Sequence, residues 1–230
     1  MKATRVLDLY HGIWEGTSLS SQDSVLSEDE KTNIQARCRR HPSYPAKPGA
    51  PTLVEHEYDR AGALVCVAVW DVHRAQLFGR CEPRSGMVSF DRLVADVMTR
   101  EPYASAERVF WVVDNGSSHR GERAAQRLGE RWSNLILVHL PIHASWLNQI
   151  EIYFSILQRK VLTPNDFDSL FALEDRILAF QDRYQQTAKP FEWKYTRDDL
   201  SSLLAKLALQ QLDQNTSPNF RARELGLGYV

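Results

Sequence analysis

The sequence predicts an α/β protein in which helices flank a mixed β-sheet, with extra helices toward the C-terminus. Two observations lead to this class. Apolar runs of strand length, such as ALVCVAVW at 63–70, are followed along the chain by segments of helical periodicity. The first predicted strands follow one another closely, as in a hairpin, whereas helices separate the later strands. Antiparallel and parallel neighbours are therefore both expected in one sheet.

The first predicted elements are mostly strands. Residues 1–23 are weakly patterned and are interpreted as a residual N-terminal linker. A short strand is predicted at 24–27, directly before an acidic run. Four prolines and one glycine make 41–52 a loop. The Val-rich run at 63–70 is typical of a buried central strand, and 75–82 is its predicted hairpin partner.

Helices and strands alternate after this hairpin. A helix is predicted from Ser89, a candidate N-cap, to Met98, because apolar residues recur there at helical spacing. The elements predicted after it are a strand at 108–113, a helix at 119–131, a strand at 135–140, and helices at 145–161, 167–185 and about 197–212. The chain is accordingly divided into a core at 24–165 and a C-terminal helical extension and tail at 166–230.

The composition is that of a globular protein. The chain has 230 residues, of which 43% are hydrophobic and 25% charged, and this length suits one large domain. It contains no apolar run long enough for a membrane span, and the N-terminus does not resemble a signal peptide. The three cysteines have no metal-ligand spacing, which favours a reducing compartment without structural disulfides.

The basic residues are clustered, although the net charge is only −1. One group lies in a segment without acids, and the other has helical spacing, so each group could face the phosphates of DNA. The alternative is a solvated surface, which charge runs usually form. The candidate DNA-backbone contacts are Arg37, Arg39, Arg40 and Lys47 in the first group and Arg120, Arg123, Arg127 and Arg131 in the second.

Two aspartates are predicted at the ends of strands. Asp114 follows the buried strand at 108–113, where the chain turns out through Asn115-Gly116. Ligands bind outside the carboxyl ends of strands in such sheets, although an aspartate there can also simply cap a turn. Asp29 follows the strand at 24–27, within an acidic run that alone would indicate only a solvated loop.

A third acid, Glu151, is unusual because of its neighbours. In WLNQIEIYFSIL, at 146–157, apolar residues surround it on nearly every side of a predicted helix, which predicts a buried helix. An ionised Glu in that setting needs a partner or a metal ion; the alternatives are a buried salt bridge and a position at the rim of the core. Three such carboxylates are typical of Mg²⁺ sites, since Mg²⁺ prefers oxygen ligands and often binds substrate phosphates.

These stretches resemble the catalytic domain of insertion-sequence transposases on the mariner-related branch of the DDE superfamily. The resemblance rests on five ordered blocks, and the separation of Asp114 and Glu151, 151 − 114 = 37 positions, is typical of that branch. The blocks together cover about residues 24–210. They are SEDEKTNIQA at 27–36, EHEYDRAGAL at 55–64, VFWVVDNGSSHRG at 109–121, HLPIHASWLNQIEIYFSILQRK at 139–160 and AKPFEWKYT at 188–196.

The resemblance implies an RNase H-like fold and DNA cleavage followed by attack of the freed 3′-hydroxyl on target DNA. Asp29, Asp114 and Glu151 would be the catalytic acids and would hold two Mg²⁺ ions, for which Mn²⁺ could substitute. Double-stranded DNA would be the substrate, a homodimer on DNA the assembly, and the bacterial cytoplasm and nucleoid the location. The residues expected to support the acids or to contact DNA are Asn115, His119, His143, Trp146 and Asn148. A turn-forming Asn115, a helix-capping His119 and a core-packed Trp146 are the alternatives.

The chain also departs from the family pattern. Family members usually carry an N-terminal helix-turn-helix region that recognises the transposon ends, and only about 23 residues precede the first predicted strand here. Gln185 stands where the family usually has Asn. An active transposase catalytic domain therefore competes with an inactive remnant that only binds DNA or assists assembly. A general RNase H-like nuclease is a third possibility, which the Trp-Leu-Asn block before Glu151 disfavours.

Overall fold

The fold is known from a computed structural model, which describes residues 2–116, 122–142 and 144–216, and the side chains of these except 122, 123 and 207–216. In chain order the elements are α1 (Lys2–Tyr10), β1 (Ile13–Trp14), β2 (Thr17–Ser18), β3 (Asp23–Arg39), β4 (Tyr58–Asp71), β5 (Leu77–Glu82), α2 (Met87–Met98), β6 (Arg108–Val113), α3 (Glu122–Arg131), β7 (Leu135–His139), α4 (Ile150–Lys160), α5 (Leu170–Gln185) and α6 (Arg197–Thr216). A single 3₁₀ turn, Ser145–Leu147, precedes α4.

The main sheet has five strands in the order β5-β4-β3-β6-β7. β3, β4 and β5 are antiparallel neighbours, whereas β6 and β7 run parallel to β3. The predicted mixed sheet is therefore confirmed. The change from antiparallel to parallel pairing falls where the connections change from hairpins to helical crossovers, because parallel neighbours need a long crossover connection.

The β4–β5 hairpin follows the prediction from the apolar run. The second half of β4 is buried, and its turn is closed by Asp71, whose Oδ1 accepts hydrogen bonds from the backbone N–H groups of His73 (3.1 Å) and Arg74 (2.9 Å). Asp71 is itself fully buried and also accepts a 2.9 Å hydrogen bond from the Tyr103 hydroxyl. This turn therefore fixes the edge of the sheet farthest from β7.

Helices cover both faces of the sheet. One apolar cluster joins α2 and Leu128 of α3 to the side chains of one face, including Leu26, Val67 and Trp111. The other cluster joins α1, α4 and α5 to the opposite face, including Val25, Ala68 and Val112. Because side chains alternate along a strand, Ser27 and Asp29 lie on the same face as Val25, under α4.

Two predictions about the start of the chain differ from the structure. Residues 1–23 are not an unstructured linker, because α1 buries Val6, Leu7 and Leu9 completely against the core. The first long strand does not end at residue 27. β3 continues to Arg39, since β4 pairs with it along almost its whole length after β6 has ended. Within the described residues, no helix is long and apolar enough to cross a membrane.

Candidate active site

Asp29 and Asp114 are brought together by two adjacent parallel strands. The last paired residues of β3 and β6 are Ser27 and Val112, an offset of 112 − 27 = 85 positions. Continued beyond the last pair, the same offset would bring position 29 level with position 114, since 29 + 85 = 114. Alternation along the strands would then place both side chains on the face under α4, and the charge of Asp114 does reach the Asp29 carboxyl. Asp29 thus lies within β3 and not after its end, whereas Asp114 directly follows β6, as predicted.

The Asp29 carboxylate is held in place by two hydrogen bonds. Its Oδ1 accepts from the backbone N–H of Glu30 at 2.8 Å, and its Oδ2 accepts from the Asn148 side-chain amide at 3.1 Å. Asn148 is buried, and the same amide nitrogen donates to the backbone carbonyl of Glu28 at 2.7 Å. Asn148 therefore fastens the segment before α4 to β3 at the position of Asp29.

Ser27 completes this connection, and it was missed in the sequence. Its hydroxyl donates to the Asn148 side-chain oxygen and accepts from the backbone N–H of Ile150 at 3.2 Å. Ser27 is fully buried and lies two residues before Asp29 on the same strand face. The period of two along β3 would have identified it, had the strand been predicted to continue beyond residue 27.

Asp114 and Asn115 shape the turn after β6. The Asp114 Oδ1 accepts a 2.6 Å hydrogen bond from the backbone N–H of Gly116. The Asn115 amide donates to the Leu140 carbonyl at 2.8 Å, which ties this turn to the residue after β7. The side chain of Asn115 thus has the turn-forming role that was the alternative to a DNA contact.

Glu151 lies in the first turn of α4 and is exposed. The expectation of a buried Glu151 is wrong, because α4 turns Ile150, Tyr153, Phe154 and Leu157 toward the core and leaves Glu151 on the outer side. Its apolar neighbours Ile152 and Ile156 are only partly buried. Exposure at a helix N-terminus suits an ionised carboxylate, since the helix dipole is positive there.

The three acids interact electrostatically. Burial above all, and then the negative charges of Glu151 and Asp114, raise the pKa of Asp29 to about 7, against the hydrogen bonds from Glu30 and Asn148. The neighbouring Glu28 is fully buried on the other face of the sheet, and neither of its carboxylate oxygens has a hydrogen-bond partner among the residues that the structure describes. Burial, followed by the charges of Asp29, Glu30 and Asp114, raises the pKa of Glu28 well above its usual range.

The acids are close enough to influence one another without forming a ready-made metal site. In the part of the chain that the structure describes, no three His, Cys, Asp or Glu side chains are placed to hold a metal ion together. What the site does offer is a set of hard oxygen donors, one of which is largely buried beside two like charges. That donor set fits Mg²⁺ or Mn²⁺ in type. The assignment of Asp29, Asp114 and Glu151 as metal ligands stays a prediction.

The other predicted site residues fall into different places. His119, Arg120 and His143 lie outside the described residues, as does the side chain of Arg123. Trp146 is 48% exposed and makes an edge-on contact with the Tyr195 ring, at 5.0 Å between centroids, so it is not packed in the core. It lies two residues before Asn148, on the loop that carries this contact to Asp29.

The basic residues predicted to contact the DNA backbone differ in whether they form ion pairs with acidic side chains. Arg40 pairs with Asp59 at 2.9 Å and Glu57 at 3.4 Å, and Arg127 pairs with Asp91 of α2 at 2.9 Å, across the sheet from Asp29. The other described residues of the two groups make contacts of a different kind. Arg39 donates to the Ser43 hydroxyl, Arg131 stacks on Trp132, Arg37 stacks on Tyr58, and the exposed Lys47 bonds Ala50 through its backbone.

Comparison with known proteins agrees with this architecture. A family model described as DDE superfamily endonuclease matches residues 24–174, which include Asp29, Asp114 and Glu151. No curated protein matches the chain.

Solved structures of similar fold include the Mos1 mariner paired end complex with Mn (TM-score 0.52) and the Mos1 transposase paired-end complex with left transposon end (TM-score 0.51). Each is 13% identical to this chain over 82% of its length, and the chain spans 55% of each of theirs. At this identity the likeness establishes the fold, which is RNase H-like, as the resemblance implied. Since the family model covers about two-thirds of the sequence, the chain belongs to the DDE superfamily endonucleases.

Proposed function

We propose that the chain is a transposase catalytic domain that cleaves DNA strands at transposon ends and joins the freed 3′-hydroxyl to target DNA. The observation that carries this proposal is that Asp29 lies on β3 and Asp114 directly follows β6, the parallel neighbour of β3, and that the charges of Asp114 and Glu151 both act on Asp29. Membership of the DDE endonucleases supports it. Phosphoryl transfer asks a protein mainly for positioning and charge, and this arrangement supplies both.

Asp29, Asp114 and Glu151 would hold two Mg²⁺ ions, or Mn²⁺ in their place. Bound there, the metal would activate the attacking oxygen and stabilise the leaving oxygen of the phosphodiester. The solved paired-end complex with Mn belongs to a protein of the same fold, which supports divalent metal use. Burial, and after it the repulsion from Glu151 and Asp114, raises the pKa of Asp29, so a cation would stabilise the ionised form of the site.

The remaining residues of the site position these acids. Asn148 donates to Asp29 and is itself held by Ser27, so it fixes the direction in which the Asp29 oxygens face. Gly116 does the same for Asp114 through its backbone N–H. Because its pKa is raised to about 7, Asp29 holds its proton to a higher pH than an ordinary carboxyl, and metal binding would release that proton.

The DNA and the assembly are part of the same proposal. Transposon-end DNA is present in the solved complex of the similar fold, and double-stranded DNA is the substrate we propose here. A homodimer on DNA would allow two ends to be processed together, and the nucleoid in the bacterial cytoplasm would be the location. The basic residues near β3 and α3, together with His119, His143 and Trp146, stay candidates for DNA contacts.

A second function, that of a DNA-binding or assembly module without catalysis, is supported by one observation. Among the described residues no three acids are already placed to hold a metal ion. In this case the acids would remain apart when Mn²⁺ is added, and the chain would bind DNA without cutting it.

Plasmid nicking separates the two functions. Supercoiled plasmid is incubated with the chain in Mg²⁺, Mn²⁺ or EDTA, and nicked circles are measured over time. We expect metal-dependent nicking that falls more than about 100-fold in Asp114→Asn and Glu151→Gln, because even outer partners of metal ligands cost about 10–100-fold when they are changed. Asp182→Asn is the control, since it removes an exposed carboxylate on α5.

Two outcomes would contradict the catalytic proposal. Equal nicking by Asp114→Asn and the wild type would show that the assigned acids do not act. Absence of nicking in every metal, with DNA binding intact, would favour the assembly module. Circular dichroism of each variant shows whether a loss of nicking reflects a loss of fold.

A further inference from the structure

A polar cavity of about 430 Å³ lies beside the candidate active site and has no role in the proposal above. It opens between the second half of β3 and the segment that joins α4 to α5. Its lining is mostly polar and includes Lys31, Asn33, Gln35, Arg37, Gln158 and Asn165. We call these six residues and the space between them the β3–α4 cavity.

Two of the acids, Asp29 and Glu151, lie on elements that lead into this cavity. Lys31 lies two residues after Asp29 on the same face of β3, about 7 Å further along at the rise of a strand. On α4, Glu151, Ser155 and Gln158 are exposed and recur at helical spacing, so they share one side of the helix. Two base-pair steps of DNA also span about 7 Å along the duplex axis. A strand whose phosphate lay at the acids would therefore extend past Lys31.

A bulge in β3 opens the cavity at this point. The ladder with β4 shifts between Lys31 and Ile34, where β3 contains one residue more than its partner. Asn33 adopts a φ of 57°, which is uncommon for a residue other than glycine. Bulges of this kind often redirect side chains beside functional sites. Here the bulge leaves Thr32 and Asn33 exposed at the cavity rim.

The cavity contains two cations without an acidic partner. Among the described residues, neither Lys31 nor Arg37 takes part in an ion pair, in contrast to Arg40. The Arg37 guanidinium is nevertheless oriented, because its Nε donates to Gln35 at 3.1 Å and its plane lies over the Tyr58 ring at 4.6 Å. An oriented guanidinium without a carboxylate is suited to a phosphate.

The far wall of the cavity is also fixed. The Asn165 side chain accepts from the backbone N–H of Arg37 at 3.1 Å and donates to the carbonyl of Gln35 at 2.7 Å. These two bonds attach the segment after α4 to β3, so the cavity keeps its shape without a ligand. Preorganised sites of this type bind with a smaller entropic cost.

We propose that the β3–α4 cavity binds the phosphodiester backbone of the DNA strand on one side of the phosphate that is cleaved. Lys31 and Arg37 contact two separate phosphates along the strand, and Gln158 contacts the strand at the α4 side of the cavity. This inference rests on the proposed function, and it adds a position for the strand along β3.

The test is the salt dependence of DNA binding. Binding of a fluorescein-labelled 30-base-pair duplex is followed by anisotropy in EDTA, so that no cleavage occurs. The slope of log K against log salt is negative, and each lost phosphate contact makes it less steep by about 0.9. The double variant Lys31→Gln/Arg37→Gln should therefore make it less steep by about 1.8. At 0.1 M salt the same change corresponds to binding about 60-fold weaker. The matched control, Arg100→Gln/Lys194→Gln, removes two exposed cations elsewhere and should keep the wild-type slope.

A second variant tests the cavity with a substitution that is not expected to disturb the fold. Gln158→Glu adds one charge at an exposed helix position and should weaken binding at low salt, with a difference that shrinks as salt screens it. Gln186→Glu, also exposed, is its control. If the wild type binds DNA with a steep dependence of log K on log salt and both cavity variants keep that dependence, this inference is overturned and the proposed function stays in place. A wild-type chain without salt-dependent DNA binding overturns both.

Discussion

Replacing Asp29 by Asn should make the metal-free protein more stable while removing its response to metal. Burial and two neighbouring carboxylates raise the pKa of Asp29 from 3.8 to about 7 in the folded chain. A carboxyl with a raised pKa holds its proton more tightly when folded than when unfolded. Below about pH 4 the Asp29 carboxyl is protonated in both states and does not change the free energy of unfolding. Between about pH 4 and pH 7 it lowers the free energy of unfolding increasingly, and above pH 7 this loss stays constant.

The size of the effect follows from the difference in pKa. A difference of about 3 units at about 1.4 kcal/mol each gives about 4 kcal/mol above pH 7. Asn keeps the hydrogen bond from Glu30 but replaces an acceptor facing Asn148 by a donor, at a cost of about 1 kcal/mol. The expected net gain in the free energy of unfolding is therefore about 3 kcal/mol at pH 8. At pH 4 the variant should be slightly less stable than the wild type.

Urea unfolding followed by tryptophan fluorescence at pH 4, 6 and 8 in EDTA measures this directly. Added Mn²⁺ should then stabilise the wild type in proportion to its affinity and leave Asp29→Asn nearly unchanged. Asp182→Asn, on the exposed side of α5, should behave as the wild type throughout. A variant that is equally destabilised at pH 4 and pH 8 would show that Asp29 is not held among repelling charges, and the reasoning would fail.

Three further predictions concern the neighbouring structure. Asn148→Ala should slow metal-dependent nicking about 10–100-fold, as for outer partners of metal ligands, and reduce the free energy of unfolding by about 1–3 kcal/mol. Arg108→Met should cost about 3 kcal/mol at pH 7, because the buried Asp23 carboxylate loses its cationic partner and the two 2.8 Å hydrogen bonds from it, and keeps the one from the Ser20 backbone N–H. Those bonds lower the pKa of Asp23, so their contribution is complete above its unfolded pKa of 3.8 and declines as the pH falls below that value, and urea unfolding at pH 3 should show a smaller difference than at pH 7. Glu28→Gln should be more stable than the wild type at pH 8 and equal to it near pH 4, because the raised pKa of Glu28 destabilises the fold by about 1.4 kcal/mol per pH unit only above 4.5.

The sequence predicted the architecture of the sheet better than the extent of its strands. The apolar runs of β4 and β6 are buried on both faces, so their composition alone identifies them. The continuation of β3 through Glu28 and Lys31 has no such signal, because those polar residues are strand only through pairing with β4. Local composition cannot reveal pairing with a distant segment, and Asp29 was consequently predicted after the strand.

The position of Asp114 was predicted correctly, because a buried apolar strand that ends on an aspartate is visible in the sequence and Asp114 directly follows β6. That β6 lies beside β3, the strand of Asp29, came only with the structure. The burial of Glu151 was predicted wrongly, since Ile152 and Ile156 near it are apolar without being fully buried. Helix α1 was missed because nine residues give too short a periodic pattern, although Val6, Leu7 and Leu9 bury one face of it.

The unequal anchoring of the three acids has a consequence for how metal would be captured. Asp29 sits in the middle of a strand that is hydrogen-bonded to β4 on both sides of it, and Asn148 also holds its side chain. Asp114 follows the last ladder residue of β6, and Glu151 extends from the outside of a helix. The position of Asp29 is therefore fixed, whereas Asp114 and Glu151 can adjust their positions when a metal ion binds. We expect added Mn²⁺ to slow amide hydrogen exchange at 114–116 and at the start of α4, while Asp29 and Glu30, already protected, exchange at their former rates.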